Sequence, residues 1–530
     1  MAGQVTFRGL LSVITVARSA AGLAGTLASL QAQTHTRWQW CIVTGSDHDL
    51  FEEVFRWAAG DPRVLVAQGS SIPADELLPA ALSMADGEYV CVMEPGDCLD
   101  SGFVNRVAEA SPDGWLYTDE ATPFGDGVGK RDWLKPGFGP ELLRSHPYPV
   151  RSAVLPMAAV TNAGGLRPEA GTAQWYDLVL RVFEDLGEPE HLTGPYYLRA
   201  PVPQPLEPPW VDGTPEDRCR VIADHCGRVG IELAAVAPIE VGGRPLGQRL
   251  VRRRRTSARV SIVIPTRGTS SRIYGFPRCH VVELVRSMWT EHRYPNVELL
   301  VVYDQDTPQS VLDELRQITG GEVVLVPFLG AFNYSRKCNE GALVASGEYL
   351  CFLNDDMEIR TADWLHELVS LLTDPTVGAV GAKLLFADGT LQHTGHLYQG
   401  GVGHLLFGEA ADTVEMGGIA QLTGERSGVT GACMLVPAAV FHEVGGFSEV
   451  FPLNYNDVDL CLKIRQTGLR ILYTPHAVLD HYESQSRDPT VDPSEIASLQ
   501  RRWRVALHDD PMVSPLVRPD VVPRPDVLQF

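Results

Sequence analysis

Short apolar runs separated by amphipathic stretches organise the chain. Leu11 to Val16 and Trp40 to Thr44 read as strands on either side of a helical pattern from Leu23 to Gln33. The pattern restarts at Val260 to Pro265, passes through a helix around Val281 to Trp289, and gives strands at Leu299 to Tyr303 and Val323 to Val326. Apolar strands alternating with helices predict a parallel, doubly wound α/β sheet in each half. The most telling run is Glu348 to Leu353, which follows Gly347 and ends abruptly in Asn354, Asp355 and Asp356. A buried strand ending in adjacent carboxylates places charge at a sheet edge, where it meets solvent or a cation. Hard divalent ions take oxygen ligands of this kind, although a polar turn after a strand has the same composition.

The run has a twin. Ala85 to Cys91 reads ADGEYVC and Ala345 to Cys351 reads ASGEYLC. Further on, Gly164-Gly165-Leu166 leads into Trp175 to Arg181, and Gly445-Gly446-Phe447 leads into Asp457 to Lys463. The two matches lie about 260 and 282 residues apart and keep the same order, so the chain reads as a tandem duplication.

Composition narrows the classes. A chain of 530 residues favours at least two domains, and a formal net charge of -22 argues against non-specific nucleic-acid binding. Because no apolar run approaches a membrane span and the start lacks signal-peptide features, a cytoplasmic location is expected. The ten cysteines are scattered, and Cys219, His225 and Cys226 sit in a helical pattern that makes a poor zinc site. Pro201 to Pro215 contains six prolines and reads as a linker, followed by a helix with Thr214 as N-cap. Arg252 to Arg255 reads first as a solvated inter-domain segment, with phosphate, an anionic membrane surface or the protein's own acidic faces as other partners.

In a doubly wound sheet, ligands bind beyond the carboxyl ends of the strands. Those ends carry Pro265-Thr266-Arg267, Asp304, and Asn354-Asp355-Asp356. Neither GxGxxG nor GxxxxGK[ST] occurs, which disfavours a nicotinamide enzyme and a P-loop NTPase. Asp457 opens a helical pattern that Asn456 is placed to cap and Gly468 to close. His481 stands at a strand end before the polar residues 483–487.

VSIVIPTRG, ELLVVYD, FNYSRKCNEGALVASGEYLCFLNDD, VTGACMLV, NDVDLCLKIRQTG and HYESQSR together resemble family 2 glycosyltransferases of GT-A fold, nearest to bacterial enzymes that build cell-surface polysaccharides. The resemblance covers Arg259 to about Ala506 and implies two tandem GT-A, Rossmann-type domains. It implies an inverting hexosyl- or deoxyhexosyltransferase that uses a UDP- or dTDP-sugar, a divalent metal (Mn2+ or Mg2+) and a glycan acceptor. By the same resemblance, Asp356 and His481 hold the metal, Asp355 lies near the ribose, and Thr266 and Asp304 bind the nucleotide. Asn354 takes the first place of the DXD-type motif, Asn339 matches a donor-side residue, and Asp457 matches the catalytic base. His393, Gly431 and Ala432 fall in segments that face the acceptor. A lipid-linked acceptor and peripheral contact with the inner membrane face through Arg252 to Arg255 also fit the resemblance.

The first copy lacks this set. Glu94-Pro95-Gly96 replaces Asn354-Asp355-Asp356, with Asp97 one place late; Trp175 replaces Asp457, and Tyr197 replaces His481. Asp177 keeps the place of Asp459. The expected organisation is a degenerate, non-catalytic GT-A-like domain at 1–205, a Pro-rich linker with a helix and basic run at 206–257, a catalytic domain at 258–510 and a tail at 511–530. Two other functions stay open: a glycan-binding scaffold inactive in both copies, and a bifunctional transferase whose first domain uses Asp97 and Asp119.

Overall fold

The computed structural model describes residues 9–110, 114–124, 129–201, 213–273, 276–291, 293–399, 401–482, 492–517 and 528–529. Glu483 to Arg487, and most of the proline-rich linker and tail, lie outside the described residues. The chain divides into two compact units, 1–251 with 416–418, and 252–415 with 419–530.

In the second unit the main sheet runs Val324–Phe328, Val297–Asp304, Val260–Thr266, Tyr349–Leu353, Cys433–Pro437, Val377–Leu385, Arg470–His481, Met357–Ile359. The first four strands are parallel and fully or partly buried, as expected of apolar runs covered by helices on both faces. The expectation of a wholly parallel sheet is corrected beyond them. Cys433–Pro437 pairs antiparallel with both neighbours, and Met357–Ile359 returns antiparallel on Arg470–His481. The short acidic turn after Leu353 does not form a hairpin: Met357–Ile359 pairs with Arg470–His481, three strands away from Tyr349–Leu353 in the sheet order.

The first unit repeats this order strand for strand. Val64–Gln68, Trp38–Thr44, Leu11–Ala17, Tyr89–Val92, Val154–Pro156, Leu116–Phe124, Glu190–Leu198 and Cys98–Leu99 occupy the same successive places, with the same parallel and antiparallel senses. The repeated glycine has one physical cause in both units. Gly347 N–H donates to Ser261 Oγ at 2.8 Å, and a Cβ on Gly347 would lie 2.6 Å from that oxygen. Gly87 N–H donates to Ser12 Oγ at 2.8 Å, and a Cβ there would lie 2.5 Å away. The A-x-G-E-Y signature thus marks a strand entering beside the serine of its neighbour, where no side chain fits.

Thr214 caps the helix Pro215–Arg228 through its side chain, and a hairpin of Leu233–Val241 and Arg244–Arg252 follows. His225 in that helix spends Nδ1 on Glu184 at 2.6 Å and Nε2 on Arg144 at 3.2 Å, so neither nitrogen is open to zinc. All ten cysteines are free. In the basic run Arg252 is largely buried, and Arg254 pairs with Asp363, an acidic residue of its own unit. Among the described residues no helix is long and apolar enough to cross a membrane.

Candidate active site

The strand-end residues of the second unit come together at one edge of the sheet. Thr266 Oγ1 donates to Asp355 Oδ2 at 2.6 Å and accepts the Gly268 N–H at 2.9 Å. Burial, and then the charge of neighbouring Asp356, push the Asp355 carboxyl up to about 7. The Thr266 hydroxyl and the Lys337 ammonium oppose that rise.

Lys337 was not anticipated. It is buried on the inner face of the helix Tyr334–Val344, among Ser335, Cys338, Gly341 and Ala342. Its Nζ lies 2.8 Å from Asp304 Oδ1 and donates to the Thr266 carbonyl at 2.7 Å. One cation therefore ties the ends of two adjacent strands. The sequence signal was a lysine on the apolar stripe of a helix, where a charge persists only if paired.

Asp356 and His481 face each other, with Oδ1 and Nε2 3.2 Å apart. His481 Nδ1 sits 2.6 Å from Gln392 Oε1, an acceptor, so Nδ1 carries the proton and Nε2 presents a lone pair. Asn354 Nδ2 also points at Nε2, at 3.2 Å. An imidazole lone pair and a carboxylate oxygen do not sit at that distance without positive charge between them, either a proton or a cation. Burial works against the charge of Asp356; where the positive charge is a proton on His481, it and His280 outweigh burial and hold the Asp356 carboxyl below its usual range.

Asp457 is the first-turn residue of the helix Asn456–Gln466. The cap is Tyr455, in the left-handed region at φ 61, so Asn456 is the first helical residue and does not take the capping role expected of it. Gly468, at φ 85, closes the helix as expected. Asp457 Oδ2 accepts the Gly431 N–H at 2.9 Å and Oδ1 accepts the Val458 N–H at 2.8 Å. The Gly431 segment links the rest of the site. Tyr334 Oη donates to Asn354 Oδ1 at 3.0 Å and to the Gly431 carbonyl at 3.2 Å, and Asn354 N–H donates to the Ala432 carbonyl at 3.0 Å.

Two supports come from far along the chain. Glu495 Oε1 accepts the N–H groups of Leu453 and Asn454 at 3.1 and 3.0 Å, and Oε2 accepts from Asn454 Nδ2 at 2.9 Å. Asp459 is buried away from the site, accepting from Trp503 Nε1 at 2.8 Å and pairing with Arg502 at 3.2 Å. Asn339 is also withdrawn. Its Nδ2 donates to the Phe447 carbonyl and its Oδ1 accepts the Phe447 N–H, both at 2.9 Å. Asn339 was expected on the donor side; in the structure both of its polar atoms fasten the loop after Gly446. His393 is fully buried, with Nε2 accepting the Thr430 N–H at 3.1 Å.

The first unit holds different chemistry at the same places. Gln174–Leu186 starts where Asn456–Gln466 starts, which puts Trp175 at the place of Asp457; its Nε1 donates to the Val150 carbonyl at 2.9 Å. The pairing of Tyr197 with His481 is corrected by strand register. Leu99 faces Tyr197 and Cys98 faces Leu198, whereas Ile359 faces Leu479 and Glu358 faces Asp480. His481 therefore corresponds to Arg199, two residues beyond Tyr197.

Residues 258–506 match the family model for "Glycosyltransferase like family 2". The chain is 31% identical to "Uncharacterized protein y4gI" of Sinorhizobium fredii, over 92% of this chain and 55% of that protein. It is 31% identical to "O-antigen biosynthesis protein RfbC" of Myxococcus xanthus, over 91% of this chain and 38% of that one. The chain thus spans about half or less of these curated relatives, and the matches run through both of its units. A crystal structure of GalNAc-T7 with UDP, GalNAc and Mn2+ is 14% identical, with a TM-score of 0.39 over 48% of this chain and 50% of that one. Residues 258–506 are a domain of glycosyltransferase family 2.

Proposed function

We propose that the second unit is an inverting glycosyltransferase that moves a sugar from a nucleotide-diphosphate sugar to a hydroxyl of a growing cell-surface glycan. The observation that carries this is the convergence of three groups at one sheet edge of a family 2 domain: Thr266 with Asp355, Asp356 with His481, and Asp457. The name of the Myxococcus xanthus relative supports a surface polysaccharide as the product class.

Asp304 and Asp355, held by Lys337 and Thr266, take the hydroxyls of the nucleotide ribose. Asp356 Oδ1 and His481 Nε2 fit a divalent cation, Mn2+ or Mg2+, because both present electron pairs to one point and Gln392 fixes the imidazole tautomer. Bound there, such an ion offsets the charge that develops on the departing diphosphate. Asp457 accepts the proton of the attacking acceptor hydroxyl, and attack opposite the leaving group inverts the anomeric carbon.

The experiment is a panel of UDP-, dTDP- and GDP-sugars, with and without Mn2+, scored for released nucleotide. Release from one donor class is expected. It should be lost on chelation and in Asp356→Asn, with the protein still folded. Binding and turnover of none of the donors, with any glycan acceptor, would overturn the reading.

The geometry before the helix gives a second expectation. Glu495→Ala leaves three donors of the turn at Leu453 and Asn454 without their acceptor, which costs about 1–3 kcal/mol. The turn carries Tyr455 and then Asp457, so kcat should fall about tenfold through misplacement while the KM for donor stays near wild type. A KM effect with unchanged kcat would contradict it.

The first unit is read as non-catalytic. Asp97, the carboxylate nearest the metal place, is spent on Arg151 at 2.9 Å, on Tyr197 Oη at 2.5 Å and on the Ala200 N–H at 2.8 Å. Asp119 accepts the Lys135 and Gly194 N–H groups at 2.7 and 2.8 Å and meets His191 at 2.9 Å. A guanidinium against Asp97 already supplies the positive charge that a cation would bring, which weighs against a second active site built on these two residues.

A further inference from the structure

Three imidazoles cluster beside Asp457. His396 and His404 are cross-strand partners in the hairpin of His396–Leu397 and Gly401–His404, and His393 stands one strand earlier. Their nitrogens lie within 4.8 Å of one another, and His393 and His396 are buried. Such a trio could hold a transition metal, but its hydrogen bonds fit a different arrangement. The Thr430 N–H donates to His393 Nε2, so the proton of a neutral His393 sits on Nδ1. That proton points at His404 Nδ1, 2.7 Å away. His393 is therefore satisfied at both nitrogens and offers a metal no free electron pair.

His396 differs. The rings of His393 and His404 stand nearly edge-on to it, at 76° and 87°, with centroids 5.2 and 5.4 Å away, and so fix its plane. Nδ1 is 3.0 Å from Tyr398 Oη. A Cβ on Gly428 would fall 2.7 Å from Nδ1 and 2.3 Å from Tyr398 Oη, so that pair is packed against bare backbone. Nε2 is left facing Asp457 Oδ2 at 3.9 Å.

We propose that His396 is the positioning residue of Asp457. Tyr398 Oη donates to Nδ1, which places the imidazole proton on Nε2, aimed at the carboxylate. The N–H attracts the ionised base and steadies Oδ2, already anchored by Gly431, as the acceptor hydroxyl approaches. When Asp457 takes the hydroxyl proton, the new glycosidic bond forms from the oxygen pair freed by that transfer. The bond to the diphosphate breaks, and its electron pair leaves with the nucleotide. His396 keeps its proton throughout. The titratable groups around Asp457 are His396 and Tyr398 on the neighbouring hairpin, Tyr334 on the helix Tyr334–Val344, and Cys461 in its own helix. Burial pushes Tyr334, Tyr398 and Cys461 up, so they stay neutral, and His396 alone among the four has a proton in reach of the carboxylate that it can both share and gain. This inference rests on Asp457 as the base.

The test compares His396→Phe, His396→Gln and Asp457→Asn in the full chain with donor and glycan acceptor. His396→Phe should lower kcat about tenfold to a hundredfold and leave donor KM unchanged. His396→Gln carries an amide N–H close to the place of Nε2 and should restore most of kcat. Wild-type kcat in a folded His396→Phe overturns the inference. So does stoichiometric zinc or copper in the purified protein that is lost in His396→Phe, since that makes the trio a metal site. If Asp457→Asn is itself active, the base reading fails instead, and the two failures are told apart.

Discussion

Asp457→Asn is expected to lower kcat by about 10²–10⁴-fold, the range of general-base catalysis. Asparagine keeps the shape of the side chain and an oxygen for the Gly431 and Val458 N–H groups, so the fold should be unaffected. What it loses is the capacity to accept a proton from a hydroxyl whose own pKa is far above neutral. Donor affinity should be unchanged, because Thr266, Asp304, Asp355 and Asp356 lie on other elements. Nucleotide release under saturating donor measures kcat, and equilibrium titration with the free nucleotide measures binding. A variant with normal turnover would remove Asp457 from the chemistry and return the scaffold reading to first place.

The largest stability effect is expected at Lys337. Lys337→Met removes the fully buried cation between the Thr266 carbonyl and Asp304. Asp304 is then left as a poorly hydrated charge, with its side chain 17% exposed. Breaking a buried pair from one side costs about 3–5 kcal/mol. At roughly 2–4 °C per kcal/mol for a unit of this size, the midpoint should fall by about 6–20 °C. Donor KM should rise as well, since Asp304 and Thr266 are both nucleotide-facing in the proposed reading. The double change Lys337→Met with Asp304→Asn should recover most of the stability and none of the donor affinity. An unshifted melting point in the single variant would mean that the Lys337–Asp304 pair contributes nothing, as many exposed pairs do not.

The fold was legible to the extent that it depends on local pattern. Strands at 260–266, 297–304 and 349–353 follow from continuous apolar runs, and the duplication follows from ADGEYVC and ASGEYLC. The glycine in that signature carries tertiary information, because it records a neighbouring serine that no side chain may displace. Strand direction past Leu353 was less legible. An apolar run gives a strand but not its sense, and Cys433–Pro437 looks the same read as parallel or antiparallel.

Asp355, Asp356, Asp457 and His481 were found as polar residues at the ends of apolar elements, and the structure brings them to one edge. Lys337, Gln392, Tyr334, Glu495 and His396 were missed. Each acts through a partner far away in sequence: Glu495 is 42 positions from Leu453, and Gln392 is 89 positions from His481. Asn339 shows the converse. A polar residue near a motif looks available until both of its atoms are seen bound to Phe447. The match of Tyr197 to His481 failed because similarity was weak there, and register, set by backbone hydrogen bonds, put Arg199 in that place instead.

The sequence by itself determined that the chain is a duplicated α/β protein, that one copy keeps a strand ending in carboxylates, and that the other has Glu94-Pro95-Gly96 there. These are local facts, fixed by residue type and periodicity. Only the tertiary structure decided which groups hold those carboxylates: Lys337 on Asp304, Thr266 on Asp355, His481 on Asp356, and Gly431 on Asp457. Charge and proton position depend on distance and burial, and neither is written along the chain.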